Sequence, residues 1–301
     1  MRIIFLGTPD FSVGCLDALI NSKHDVIAVV TQPDKARNRM VVSFSPVKQR
    51  ALDSNIQVLQ YDKIRLQGVD DLKKLNPDLM VTCAYGQIIS QEILDIPKYG
   101  VINVHASLLP KYRGSAPIQW AIINGEKETG ITIMQTALGV DSGDIILQEK
   151  VAIKDGETAG ELFDDLAKIA PSVLMKAIGQ IENGKATYTK QNENESTHYP
   201  MLKKEDGHIN WSEDGKNIIN KILGFNPWPS AYGIIDSKIF KIYKGEFVKD
   251  DHNKTFGLVD KDKVYCGGGY IKLLDVQIEG KKRMTFDEFS RGYSIDGKEI
   301  K

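Results

Sequence analysis

Apolar, β-branched runs recur along the first part of the chain, at RIIFLG (2–7), DVIAVVTQ (25–32), DLMVTCAY (78–85) and GVINVHAS (100–107). The stretches between them carry helical periodicity, so the pattern predicts βαβ units and a parallel sheet. In the first such stretch Phe11, Cys15, Leu16, Leu19 and Ile20 share one helical face. In the second, SPVKQRALDSN offers Ser45 as N-cap and Pro46 at the first helical position. APIQWAIINGE (116–126) reads as a third helix. Strand-like TGITIMQT and DIILQEKVAI follow, then a long helix from about Thr158 to Asn183 with Leu162, Leu166, Ile169, Val173 and Ile178 on one side. The prediction for residues 1–188 is an α/β domain with an open, mostly parallel, doubly wound sheet.

Residues 189–206, within TKQNENESTHYPMLKKEDG, are polar and nearly without apolar periodicity, and read as a linker. From 207 to 301 a short helix near Asp214–Leu223 precedes AYGIID, KIFKIYKGEFV, TFGLVD, KVYCGG and YIKLLDVQIEG. Short strands separated by Gly, Asp and Lys turns predict a small, OB-like β-barrel as the second domain.

Composition narrows the class of protein without choosing a function. The 301 residues are 42% hydrophobic and 26% charged, as in soluble globular proteins. No apolar run approaches a membrane span, and MRIIFLGTPDF is unlike a signal peptide, so the expected location is the cytoplasm; a monomer is the expected state. Cys15, Cys83 and Cys266 are far apart and form neither a disulfide framework nor a zinc motif, and no metal is expected. With 39 basic and 40 acidic residues, any nucleic-acid partner must be met by local patches.

The first run ends in GTPDFS, which lacks the later glycines of a dinucleotide fingerprint, and Gly7 reads as a tight strand-to-helix turn. A phosphate loop and an H-E-x-x-H motif are absent from the sequence. Ligands of open parallel sheets bind beyond the carboxyl ends of the strands, where Tyr85, Gly86, Asn103 and His105 fall. Asn103 and His105, at i and i+2 of one strand, share a face, so an amide donor and a group that ionises near neutrality converge on one spot. That pairing suits carbonyl chemistry, although either residue taken alone reads more readily as a satisfied structural side chain. Asp141, between glycines in LGVDSGDII (138–146), is a turn residue on its local sequence; beside His105 it would orient the ring and favour its charged form.

INVHASLLPKYRGSAPIQWAI followed by GITIMQTALGVDSGDIIL resembles the folate-dependent formyltransferases. Within that superfamily RIIFLGTPDFS, VVTQPDK, SPVK, INWS (209–212) and FNPWPSAYG (225–233) look like the branch that acts on methionyl-tRNA. The resemblance covers nearly the whole chain. It implies a formyltransferase-type, Rossmann-like first domain, with Asn103, His105 and Asp141 as the catalytic set. The implied reaction moves a formyl group from 10-formyltetrahydrofolate to the α-amino group of methionine esterified to initiator tRNA. For the folate cleft it implies Tyr85, Gly86, Ile88 and Ile89, with Ser107, Leu108, Leu109 and Pro110, and with Leu138 and Val140.

Relatives in that branch carry a Gly- and Lys-rich loop before SPVK that enters the tRNA acceptor arm, whereas this chain reads ARNRMVVSF (36–44). Lys35, Arg37 and Arg39 are the cations left there to meet phosphates. In the second domain Lys203, Lys204, Lys281, Lys282 and Arg283 are candidates for the same role, against the alternative of a solvated surface. A formyltransferase for a nucleotide sugar or glycinamide ribonucleotide, a formate-releasing hydrolase and a silent RNA-binding protein are the competing readings.

Overall fold

The computed structural model describes residues 1–34, 36–37 and 41–301. The chain folds into two compact units, one of residues 1–114, 128–152 and 163–198, the other of residues 115–127, 153–162 and 199–301.

The first unit holds β1 (Arg2–Gly7), β2 (Asp25–Thr31), β3 (Ala36–Arg37), β4 (Val41–Val42), β5 (Val58–Gln60), β6 (Leu79–Cys83), β7 (Val101–His105), β8 (Arg113–Gly114), β9 (Glu128–Gln135) and β10 (Ile145–Ala152). Seven of them form one sheet in the order β10, β9, β7, β6, β1, β2, β5. The strands from β5 to β7 run parallel, and β9 and β10 are antiparallel additions beside β7. Ile3, Ile4, Phe5 and Leu6 of central β1 are fully buried, as expected for a strand covered on both faces. At its end a Cβ on Gly7 would lie 2.8 Å from the Phe5 ring and 2.9 Å from Ser12 Cβ, so the turn read from the sequence requires glycine.

Helix Val13–Ile20 buries Cys15, Leu16 and Leu19. Helix Pro46–Asp53 begins as expected, with the Ser45 side chain accepting from Lys48 N at 3.2 Å. The long helix spans Ala159–Glu182, and Thr158 and Glu161 form its capping box. Strand β5 and the short helices Ile64–Gln67, Val69–Leu75 and Gln91–Leu94 carry too few residues to show a period, and their sequence pattern did not separate them from loops.

The polar stretch 189–206 is not an unstructured linker. Thr189 exchanges backbone hydrogen bonds with Ile145 at 2.9 and 2.8 Å, Glu193–Glu195 forms a helical turn, and β11 (His198–Tyr199) pairs with β8. Gln191 and Thr197 within it bond protein groups while most of its other polar side chains stay exposed, a division that composition alone does not reveal. Nor does the division by sequence into 1–188 and 207–301 match the packing. Ala116, Trp120 and Ile123, in and beside helix Pro117–Ile123, belong to the hydrophobic cluster of Ile218, Ile222 and Phe225.

In the second unit β12 (Ala231–Ile235), β13 (Lys238–Lys249), β14 (Val259–Asp260), β15 (Lys263–Cys266), β16 (Gly269–Ile278) and β17 (Met284–Thr285) are all antiparallel. Their order is β12, β13, β16, β15, β14, with β17 beside β16. The last residues close this sheet into a barrel. Lys301 exchanges backbone bonds with Ile234 at 2.6 and 2.8 Å, Ile300 N donates to Gly257 O at 2.9 Å, and Val259 N donates to Lys298 O at 2.8 Å. Closure of this kind covers the edges of β12 and β14. Among the described residues no helix is long and apolar enough to cross a membrane.

Candidate active site

Strand β7 brings Asn103 and His105 to the carboxyl end of the parallel sheet, between β6 and β9. Thr82 is the register partner of Asn103 on β6, and its Oγ1 donates to Asn103 Oδ1 at 2.8 Å. The same hydroxyl also lies 3.2 Å from the Ile102 carbonyl, and among the described residues Asn103 Nδ2 forms no hydrogen bond, so the amide is oriented with its donors left over. His105 is buried, and its Nε2 donates to the Tyr112 carbonyl at 2.9 Å, since a carbonyl can only accept. The other ring nitrogen, Nδ1, faces Asp141 Oδ2 at 3.7 Å, an ion-pair distance just beyond direct hydrogen bonding.

Asp141 sits in the connection from β9 to β10 with φ +48°, a left-handed conformation that Asp tolerates better than most residues. Gly114 N donates to its Oδ2 at 2.8 Å. A Cβ on Gly143 would fall 1.6 Å from the Gln135 carbonyl, so this glycine lets the connection double back on β9. Gln191 Nε2 donates to the backbone carbonyls of Asp141 and Gly143 at 2.8 and 2.7 Å. Gln191 Oε1 in turn accepts from Nε and Nη2 of buried Arg113, whose fork also grips Glu193. The Arg113 guanidinium holds the Glu193 carboxyl below the usual carboxylate range.

The segment after His105 is tied down as well. Thr132 Oγ1 donates to Ser107 O at 2.6 Å and accepts from Leu109 N at 3.2 Å, while Gln148 Nε2 donates to Leu109 O at 2.9 Å. Ser107 and Leu109 are buried, and Leu108 and Pro110 half-buried. After β6, Gly86 takes φ +81° and Gln32 Nε2 donates to the Tyr85 carbonyl at 3.0 Å. Gln60 Nε2 bonds Gln32 O at 2.8 Å and Asp34 Oδ1 at 3.1 Å, and Lys48 Nζ bonds both Gln60 Oε1 and Asp34. Burial raises Asp34, but the bonds from Lys48 and Gln60 outweigh it and hold its carboxyl below the ordinary range.

The apolar candidates divide by exposure. Ile88, Leu138 and Val140 are 67%, 64% and 63% exposed, large apolar surfaces on loops at the carboxyl ends of β6 and β9. Tyr85 and Ile89 instead belong to the core cluster of Ile4, Leu6 and Val30, so their side chains are packing residues. Burial pushes the Tyr85 phenol up. Among the described residues there is no group of three His, Cys, Asp or Glu placed to hold a metal ion.

Of the basic candidates, Lys35 and Arg39 lie outside the described residues, and Arg37 is placed by its backbone in β3. Lys203, Lys204, Lys281, Lys282 and Arg283 are exposed. Arg283 is committed to Asp275 at 2.6 Å and stacks over Tyr243, and Lys281 Nζ lies 5.8 Å from the Tyr293 ring centre.

Sequence reasoning missed Thr82, Thr132, Gln148, Arg113 and Gln191. The two threonines carry a signal in retrospect, Thr82 as the hydroxyl in the apolar run LMVTC and Thr132 between Ile131 and Ile133, and both are buried. Gln191 carries none, because a glutamine in a polar stretch reads as solvated.

The chain matches the family described as formyl transferase over residues 1–178 and the formyl transferase C-terminal domain over residues 201–294. Two formyltransferase structures share the fold. WlaRD, a sugar 3N-formyl transferase, has TM-score 0.67 and 24% identity over 94% of this chain and 99% of its own. The N-formyltransferase of Helicobacter canadensis has TM-score 0.69 and 21% identity over 91% of this chain and 98% of its own. Fold and domain matches together define a two-domain formyl transferase. The sequence is 46% identical to the methionyl-tRNA formyltransferase of Caldanaerobacter subterraneus subsp. tengcongensis, over 98% of each chain. It is 45% identical to that of Agathobacter rectalis, again over 98% of each. This chain belongs to the methionyl-tRNA formyltransferase family.

Proposed function

We propose that Asn103, His105 and Asp141 carry the transfer of a formyl group from 10-formyltetrahydrofolate to the α-amino group of methionine esterified to initiator tRNA. The observation that carries this reading is the end of β7, where the Asn103 amide is fixed with its donors left over and His105 stands 3.7 Å from Asp141. As the amine attacks the formyl carbon, negative charge grows on the formyl oxygen. Donors fixed in advance stabilise that charge without reorganising. Asn103 Nδ2 is one. His105 supplies the second through Nδ1, because Nε2 is committed to Tyr112. Asp141 stabilises positive charge on the ring and takes part in moving the proton that the amine must lose.

The folate lies against the exposed Ile88, Leu138 and Val140 and the segment Ser107–Pro110, with backbone near Tyr85 and Gly86 and beside Ile89 and Leu109 bonding its edge. Flat heterocycles want apolar faces and edge donors, and these residues supply both. The tRNA is met by Lys203, Lys204, Lys281, Lys282 and Arg283, and by Lys35, Arg37 and Arg39 of the loop before Ser45. The chain acts as a monomer in the cytoplasm.

The test is incubation with 10-formyltetrahydrofolate, with and without charged initiator tRNA. Formyl-methionyl-tRNA is the expected product. Formate released at the same rate without tRNA, or transfer to an amino-sugar nucleotide in its place, would overturn the reading.

A further inference from the structure

A catalytic carboxylate on a loop with left-handed backbone needs something to hold it, and the hydrogen bonds around Asp141 converge on one residue. Gln191 spends its whole amide on two tasks. Nε2 donates to the carbonyls of Asp141 and Gly143 at 2.8 and 2.7 Å, and Oε1 accepts from Arg113 Nε and Nη2 at 3.0 and 2.8 Å. Arg113 is itself fixed. Its side chain is 2% exposed, Nη1 and Nη2 grip both oxygens of Glu193 at 2.9 and 2.8 Å, and its backbone N donates to Thr197 O at 2.9 Å. The residue following it, Gly114, donates its backbone N to the Asp141 carboxylate. One short strand therefore bonds the carboxylate directly and, through Gln191, the backbone that carries it.

We infer that Gln191, locked by Arg113 and Glu193, is the positioning residue for Asp141; this rests on the catalytic role proposed for Asp141 above. A guanidinium on Oε1 polarises the amide and strengthens its Nε2 donors. The same guanidinium dictates which way the amide points, since only oxygen can face Arg113 and only nitrogen can face two carbonyls. Among the described residues Gln191 forms no hydrogen bond to His105 or Asn103, so it acts on the reaction through the place it gives Asp141.

The decisive variant is Gln191→Glu. It keeps shape and an acceptor for Arg113, but loses both donors and sets a carboxylate oxygen against the two carbonyls. In the purified full-length protein, kcat should fall about tenfold while KM for each substrate stays within about twofold. In an Asp141→Asn background the same change should cost less than about twofold, since residues that act through one another are not additive. Glu193→Gln, which keeps Gln191 in place and only weakens the lock on Arg113, should lower kcat about threefold and serves if Gln191→Glu does not fold. Full turnover in both variants, a loss that appears in KM, or an undiminished loss in the Asp141→Asn background would overturn the inference while leaving the catalytic set intact. Full turnover in Asp141→Asn alone would overturn the role of Asp141, and the positioning role with it.

Discussion

The polar groups around Asn103 and His105 and two of the second unit's lysines are used in opposite ways. At the carboxyl end of the seven-stranded sheet nearly every polar side chain is spent on another protein group: Thr82 on Asn103, His105 on Tyr112, Gln148 on Leu109, Gln191 on Asp141. On the barrel unit, Lys204 and Lys282 are exposed, and among the described residues neither forms an ion pair. Chemistry on a small group needs donors whose positions are settled before the substrate arrives, because any reorganisation adds to the barrier. Attraction to a polyanion needs the reverse, cations still free to exchange counterions for phosphates. A fixed site and an uncommitted surface should therefore respond to substitution differently, in kcat for the first and in salt-dependent binding for the second.

The largest effect expected is from the donors themselves. His105→Ala and Asn103→Ala should each lower kcat by a hundredfold or more, since one lost donor to a developing oxyanion costs about 3 kcal/mol. Both residues lie at the end of a strand whose other residues hold the core, so thermal melting should change little. Turnover near the wild-type value at saturating substrates, in either variant, would break the contrast between the units.

Thr82→Val tests whether pre-fixing matters beyond the presence of Asn103. The change keeps shape and removes the hydroxyl that orients the amide. One neutral hydrogen bond is worth about 1 kcal/mol, so kcat should drop between about fivefold and tenfold while the affinity for folate holds. A wild-type kcat would mean that the strand alone orients Asn103.

How much of this was legible in the sequence follows the same division. Strands β1, β2, β6 and β7 were readable because burial on both faces forces continuous β-branched runs, and Ser45–Pro46 marked a helix start by its capping chemistry. Asn103 and His105 were readable because polar residues are costly at the end of such a run. The supports were not. Arg113 and Gln191 are 78 positions apart and meet only in three dimensions, so nothing in either local sequence says that one satisfies the other. The polar stretch 189–206 read as linker for the same reason. Helix Pro117–Ile123 was found, but its membership in the barrel unit's core was not, because periodicity shows that a face is buried and not what buries it.

Acid sharpens the account of the fixed region. The bonds of Asp34 to Lys48 and Gln60 hold its carboxyl below the unfolded value, so the pair contributes stability that is present above the ordinary carboxylate range and is lost as pH falls through the lowered folded value. Asp34→Asn should lower the melting temperature by about 2–4 °C near neutrality. The gap should close in acid, below about pH 4. A gap that persists unchanged at low pH would mean that Asp34 acts by shape and not by charge.

The smallest effect expected per residue is on the proposed tRNA surface. Lys204→Ala combined with Lys282→Ala should raise KM for methionyl-tRNA about threefold at low salt, and should flatten the dependence of log K on log salt by about one to two units, with KM for folate unchanged. Arg37→Ala with Arg39→Ala should act in the same sense if that loop meets phosphates. Deleting residues 207–301 cannot substitute for point variants, since it strips the hydrophobic partners from Ala116, Trp120 and Ile123 and so confounds binding with folding. The measurement is a salt titration of tRNA binding for the full-length protein and each double variant. Identical slopes in all three would place the nucleic-acid surface on other cations. A loss in kcat without any change of slope would mean that these lysines behave like the fixed site, and the division between settled donors and uncommitted cations would not describe this enzyme.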